Sequence, residues 1–177
     1  MPHRAAGFTL VELMIGIAIA ALLVVLAIPS YQVWVADAQI RNAAESIADG
    51  MRYAQSQAIA RNSTIEFIID PTTGTGGWRA RLVIDGSIIQ TATLAEGSNL
   101  TAMRTFPAGA NTVTFTSLGG IALANADASP ILTEVDVTTA TSVSGTRNLN
   151  VLVGAGRAGI KLCDPKWPAT DPKGCPP

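Results

Sequence analysis

Between Leu13 and Ala36 the chain carries no charged residue, and the run is dominated by Ile, Leu, Val and Ala. A stretch of that length is enough for a helix that crosses a hydrocarbon layer, which takes ~20 apolar residues. Nothing else in the 177 residues constrains the fold as strongly. Arg4 precedes the run and no acidic residue precedes Glu12, whereas Tyr31 and Trp34 follow at its far end. That arrangement predicts a short cytoplasmic N-terminus and an exported remainder, with the rings at the interface. A secretory signal would place a small-residue cleavage site after the run. Here IPSYQVWVADAQ continues into a helical pattern, so the run is expected to be retained.

The remainder is a different material. Hydrophobic residues make up 48% and charged residues 14%, but the first thirty-odd positions produce much of that bias. A net charge of -1 argues against a generally basic nucleic-acid binder. Beyond Trp34, Ile40, Ala44, Ile47, Met51, Ala54 and Ala58 advance by alternate steps of four and three, the seam of an amphipathic helix. The pattern predicts one helix from about Phe8 to Ala60, apolar all round in its first half and one-sided in its second, with a bend where Pro29 removes an amide donor.

After Asn62 the segments STIEFIID, WRARLVIDG, SIIQTATL, NTVTFTSL and NLNVLVG read as strands, separated by Gly- and Pro-rich turns. Asp85-Gly86 predicts a hairpin closed by a two-residue type I′ turn. The expected fold is therefore α+β, a long helix packed on an antiparallel head.

Cys163 and Cys175 bracket DPKWPATDPKG. In an exported domain the pair reads as a disulfide, with two free thiols as the alternative; a zinc site would need further ligands. GAGRAG at Gly154–Gly159 matches G-x-G-x-x-G, but eighteen residues remain beyond it and leave no room for a βαβ unit. The one histidine, His3, precedes the apolar run, and the acidic residues show no paired or metal-ligand spacing, so neither catalysis nor a cofactor is expected.

Gly7 followed by FTLVELMIGIAI resembles the leader junction of the type IV pilin-like family, which takes in type IV pilins and type II secretion pseudopilins. The resemblance implies that a prepilin peptidase cuts between Gly7 and Phe8, removing residues 1–7, and methylates the new amine of Phe8. It also implies that Glu12 meets such an amine on a neighbouring subunit. Residues 8–36 would then form the transmembrane and filament-core helix, 37–62 its amphipathic half, and 63–177 the head.

WRARLVIDG, FTSLGG and the final GRAGIKLC resemble the GspH/FimT branch of that family, nearest to minor pilins of the FimU type. The implied role is a non-enzymatic subunit that helps initiate a type IV pilus and sits at or near its tip. Implied partners are other minor pilins, the major pilin, the inner-membrane assembly platform and the prepilin peptidase. The implied location is the inner membrane, with a periplasmic head, before assembly and the pilus afterwards. Two alternatives share this architecture: a GspH-type pseudopilin of a type II secretion system, and a FimT-like DNA receptor for natural transformation.

For the receptor, Gly156 and Arg157 match the start of a Gly-Arg-any-Arg motif, but Gly159 stands where the second arginine belongs. Arg157 and Lys161 are the candidate DNA contacts, in a C-terminal region with a local excess of three positive charges. Trp167 would be available for stacking on a base or for capping its own loop.

Overall fold

The computed structural model describes residues 9–73, 75–94, 98, 100–141, 143–154 and 159–176. Gly7, Phe8 and Arg157 lie outside them. Helix α1 spans Leu10–Ala60, 51 residues, or roughly 76 Å at 1.5 Å per residue. Thr9 is its N-cap, and its Oγ1 accepts the Glu12 amide at 3.2 Å. Glu12 therefore sits in the first turn, where a carboxylate favours the helix dipole. The helix runs unbroken through Pro29, and the Ser30 hydroxyl donates to the Ala27 carbonyl at 3.0 Å.

At the other end Asn62 takes the left-handed conformation (φ 48°), its amide donating to Ile59 O and that of Ser63 to Ala58 O. These two bonds form a Schellman stop, for which asparagine is suited after glycine.

The buried stripe of α1 is Ala36, Ile40, Ala43, Ala44, Ile47, Ala48, Gly50, Met51, Ala54 and Ala58. It contains all six predicted seam positions. Most of its members are small, which lets the head approach the helix axis closely. From Leu10 to Trp34, by contrast, no side chain is buried.

Among the described residues, eight strands form two four-stranded antiparallel sheets. They are β1 Ile65–Asp70, β2 Gly77–Leu82, β3 Ile88–Thr93, β4 Thr101–Phe106, β5 Thr112–Phe115, β6 Glu134–Thr139, β7 Leu149–Val153 and β8 Ile160–Cys163. The orders are β3-β2-β1-β5 and β4-β6-β7-β8, and strands of both sheets pack against α1. Phe67, Ile69, Phe115, Val135, Val137 and Val151 close the core over the helix stripe.

Two expectations need correction. The β2–β3 hairpin exists, but Asp85-Gly86 does not form a type I′ turn: Gly86 has positive φ (71°), whereas Asp85 is absent from the positive-φ residues. Residues 83–87 make a longer connection, closed by Leu82 N–H to Ser87 O and Gly86 N–H to Leu82 O. Asp85 caps it instead by accepting the Ser87 amide and hydroxyl at 2.9 and 2.8 Å, and these bonds hold its carboxyl below the usual carboxylate range. Strands β4 and β6 were also not anticipated. TAMRTF holds no Val or Ile and EVDVTT only two Val, so both lack the density that marked the others.

Candidate assembly site

The stem places one carboxylate in a cylinder of exposed hydrocarbon. The exposures of its exposed large apolar side chains run from 47% at Ile28 to 74% at Leu10. The helix is long and apolar enough to cross a membrane, with an 18-residue window of mean hydropathy 2.8 and none of that window buried. Such a surface is stable only against lipid or other apolar helices. Glu12 projects from its first turn and is exposed. Chemically the stem can pair with a cation held at membrane depth, and with little else.

At the other end of the chain Cys163 and Cys175 are bonded, with their Cα atoms 5.0 Å apart. The enclosed loop is tightly wired. Asp164, 7% exposed, accepts the Lys166 amide at 2.9 Å, and its own amide donates to Lys173 O at 2.8 Å. Asp171 accepts the Lys173 amide at 2.8 Å. Gly174 fits because any Cβ there would lie 2.1 Å from the Pro168 carbonyl oxygen.

Replacing Cys163 by serine should cost up to about 3 kcal/mol by the chain-entropy relation for a ring of this size. Urea unfolding would show the drop, and trypsin should newly cut after Lys166 and Lys173. An unchanged midpoint would mean that the hydrogen bonds hold the loop unaided.

Of the two predicted DNA contacts, Arg157 lies outside the described residues and Lys161 is engaged within the head. Lys161 Nζ donates to Gly174 O at 2.8 Å, so this cation pins the disulfide loop. Lys173 Nζ lies 5.6 Å from the centre of the Trp167 ring. Lys161 shares its strand register with Leu152 and Glu134, and the neighbouring row holds Asn150, Asp136 and Arg104. Burial chiefly, and Glu134 next, raise the Asp136 carboxyl above its ordinary range despite Arg104. This face is thus mixed in sign. The Gly154 amide donates a hydrogen bond to Gly159 O at 3.2 Å between antiparallel β7 and β8, which is no place for a dinucleotide. Among the described residues no group of three His, Cys, Asp or Glu could hold a metal.

Sequence reading missed two polar devices in the head. Glu66 is 1% exposed and accepts from Arg81 Nε at 2.7 Å, its cross-strand neighbour in β1–β2. Asn125 anchors the long connection between β5 and β6, accepting the Thr114 hydroxyl at 2.8 Å and donating at 3.1 Å to the carbonyls of Thr112, Ser129 and Pro130. Strand register reveals the first, and the folding of the connection over β5 the second.

Comparison with known proteins agrees with this architecture. The model of the family described as type II transport protein GspH matches residues 43–156, and that of the prokaryotic N-terminal methylation motif matches residues 2–28. Type II secretion system protein H of Xanthomonas campestris pv. campestris is 37% identical over 78 residues, covering 40% of this chain. The chain thus spans about half the length of that curated relative, 46%.

The minor pseudopilin EpsH from the type 2 secretion system of Vibrio cholerae has a TM-score of 0.51 at 15% identity, over 74% of this chain and 99% of its own. The type IV minor pilin FimU of Pseudomonas aeruginosa gives 0.49 at 17%, over 72% and 92%. At 15% identity the likeness to EpsH concerns the fold. The GspH model, which covers more than half of the residues, goes further: the chain belongs to the GspH family.

Proposed function

We propose that this chain is a minor pilin, a structural subunit that helps initiate a type IV pilus and stays at or near its tip. The observation that carries the reading is the exposed, unbroken apolar helix half with Glu12 in its first turn, fused to a head that buries the other half. Such a stem has no stable place except a membrane or a bundle of like stems. In this reading prepilin peptidase cuts between Gly7 and Phe8 and methylates Phe8. The chain waits in the inner membrane with its head in the periplasm, and the assembly platform passes it to a bundle of other minor pilins and the major pilin.

The closed Cys163–Cys175 loop supports a pilus tip, since it offers a fixed surface outside the helix bundle. A second reading, a pseudopilin of a type II secretion filament, is supported by the identity to secretion system protein H. DNA capture has least support: Lys161 is engaged with Gly174, and Gly159 replaces the motif's second arginine.

Deleting the gene separates the first two. Loss of sheared surface pili with normal protein secretion is expected, restored by a tagged copy that co-purifies with pili. Normal piliation with lost secretion would overturn the pilus and favour the pseudopilin.

A further inference from the structure

The chain has three tryptophans, and only one of them serves the core. Trp78 stacks on Phe67 at 5.6 Å between ring centres. The other two, Trp34 on the stem and Trp167 in the disulfide loop, are 66% and 42% exposed and line one cleft of ≈ 730 Å³ between α1 and the foot of the head. Asp37, Arg41, Arg147 and Lys173 line it too. Tyr31 extends the aromatic edge, its ring centre 6.0 Å from that of Trp34.

The height of this cleft is set by the stem. The uncharged run ends at Ala36, so the hydrocarbon boundary falls near Trp34, and Asp37 is the first charge beyond it. Asp37 accepts the backbone amide of Arg147 at 2.8 Å, which ties that arginine to the boundary. Arg41 is seven residues past Trp34, about 10 Å along the axis. A headgroup layer is roughly 5–8 Å thick on each side of the hydrocarbon. Arg147, tied to Asp37, therefore stands within it, and Arg41 just beyond it.

Three carboxylates share the lining with these cations: Asp37 accepts the Arg147 amide and Asp164 that of Lys166, while Glu45, eleven residues past Trp34, stands about 16 Å along the axis, clear of the headgroup layer. We propose that this cleft is a membrane-surface site, in which Trp34 and Trp167 lie at the level of the acyl carbonyls and Arg147 and Lys173 take the phosphates of anionic phospholipids. Amphipathic rings favour that depth, and cations are drawn to an anionic surface. The site would seat the head against the bilayer while the subunit waits, and its lipid contacts must be given up on entry into a filament. The inference rests on the reading of the stem as a membrane anchor.

The test uses the full chain in vesicles of phosphatidylethanolamine and phosphatidylglycerol, with bromine placed shallow or deep in the acyl chains as a quencher of indole fluorescence. Trp34→Phe should retain a component quenched by shallow bromine, and Trp34→Phe/Trp167→Phe should lose it. Arg147→Glu/Lys173→Glu should remove the same component with the helical circular dichroism unchanged.

Quenching of the wild type without any Trp167 component would overturn the site but not the anchor. So would a photocrosslinker at position 167 that captures a second copy of the chain instead of lipid. No quenching of either indole would overturn both.

Discussion

A Glu12→Ala chain should insert into the membrane like the wild type and be missing from filaments. Insertion should, if anything, become easier, because a carboxylate at mid-helix costs roughly 2.5–3.5 kcal/mol on insertion scales and less near an end. Thr9 still caps the first turn, since its partner there is the backbone amide of residue 12 and not the side chain. Assembly is another matter. On the proposal that Glu12 meets the Phe8 amine of a neighbour, alanine leaves that amine uncompensated in a bundle of apolar stems.

Removing one partner of a buried pair costs about 3–5 kcal/mol, and every 1.4 kcal/mol is about tenfold in an equilibrium. Incorporation should therefore fall by a factor of about a hundred or more. Immunoblots of sheared filaments against the inner-membrane fraction would measure it. Wild-type incorporation of the variant would refute the pairing.

What the sequence made legible was local. The seam from Ile40 to Ala58 could be read because helical periodicity joins residues a few positions apart, and every seam position is buried. Glu12 could be read because a single charge in an apolar run needs no tertiary knowledge to be anomalous. The features that depend on strand register could not. Nothing local in STIEFIID marks Glu66, yet it is paired with Arg81 fifteen residues away and sealed from water. Asn125 sits in a segment without periodicity, and its four partners meet only when the connection folds over β5. Lys161 looked like a free cation because nothing local shows that the disulfide carries the Gly174 carbonyl back to it. Type and spacing thus identified the stem, whereas the use of each charge in the head was decided by chain neighbours distant in sequence.

Gly50 shows how far such a distant neighbour can reverse a local rule. It lies inside α1, where exchange of glycine for alanine should stabilise an exposed helix by about 1 kcal/mol. In the folded chain Trp78 takes the space: a Cβ at position 50 would lie 2.5, 2.7 and 2.8 Å from three atoms of its indole. The ring has little freedom to retreat, because it stacks on Phe67 and donates from Nε1 to Ser46 Oγ at 3.2 Å. Gly50→Ala should therefore destabilise the head, by about 1–3 kcal/mol, as overpacking does. Gly50→Leu should expel the indole and cost as much as losing a large core side chain, about 3–5 kcal/mol. Urea unfolding of the detergent-solubilised full chain, followed by tryptophan fluorescence, would give both values. The double variant Gly50→Ala/Trp78→Phe should lose less than the sum of its single changes, since the smaller ring relieves the clash. If Gly50→Ala proves as stable as the wild type, helix propensity outweighs the contact and the close seating of Trp78 on α1 is not what fixes the head to its stem.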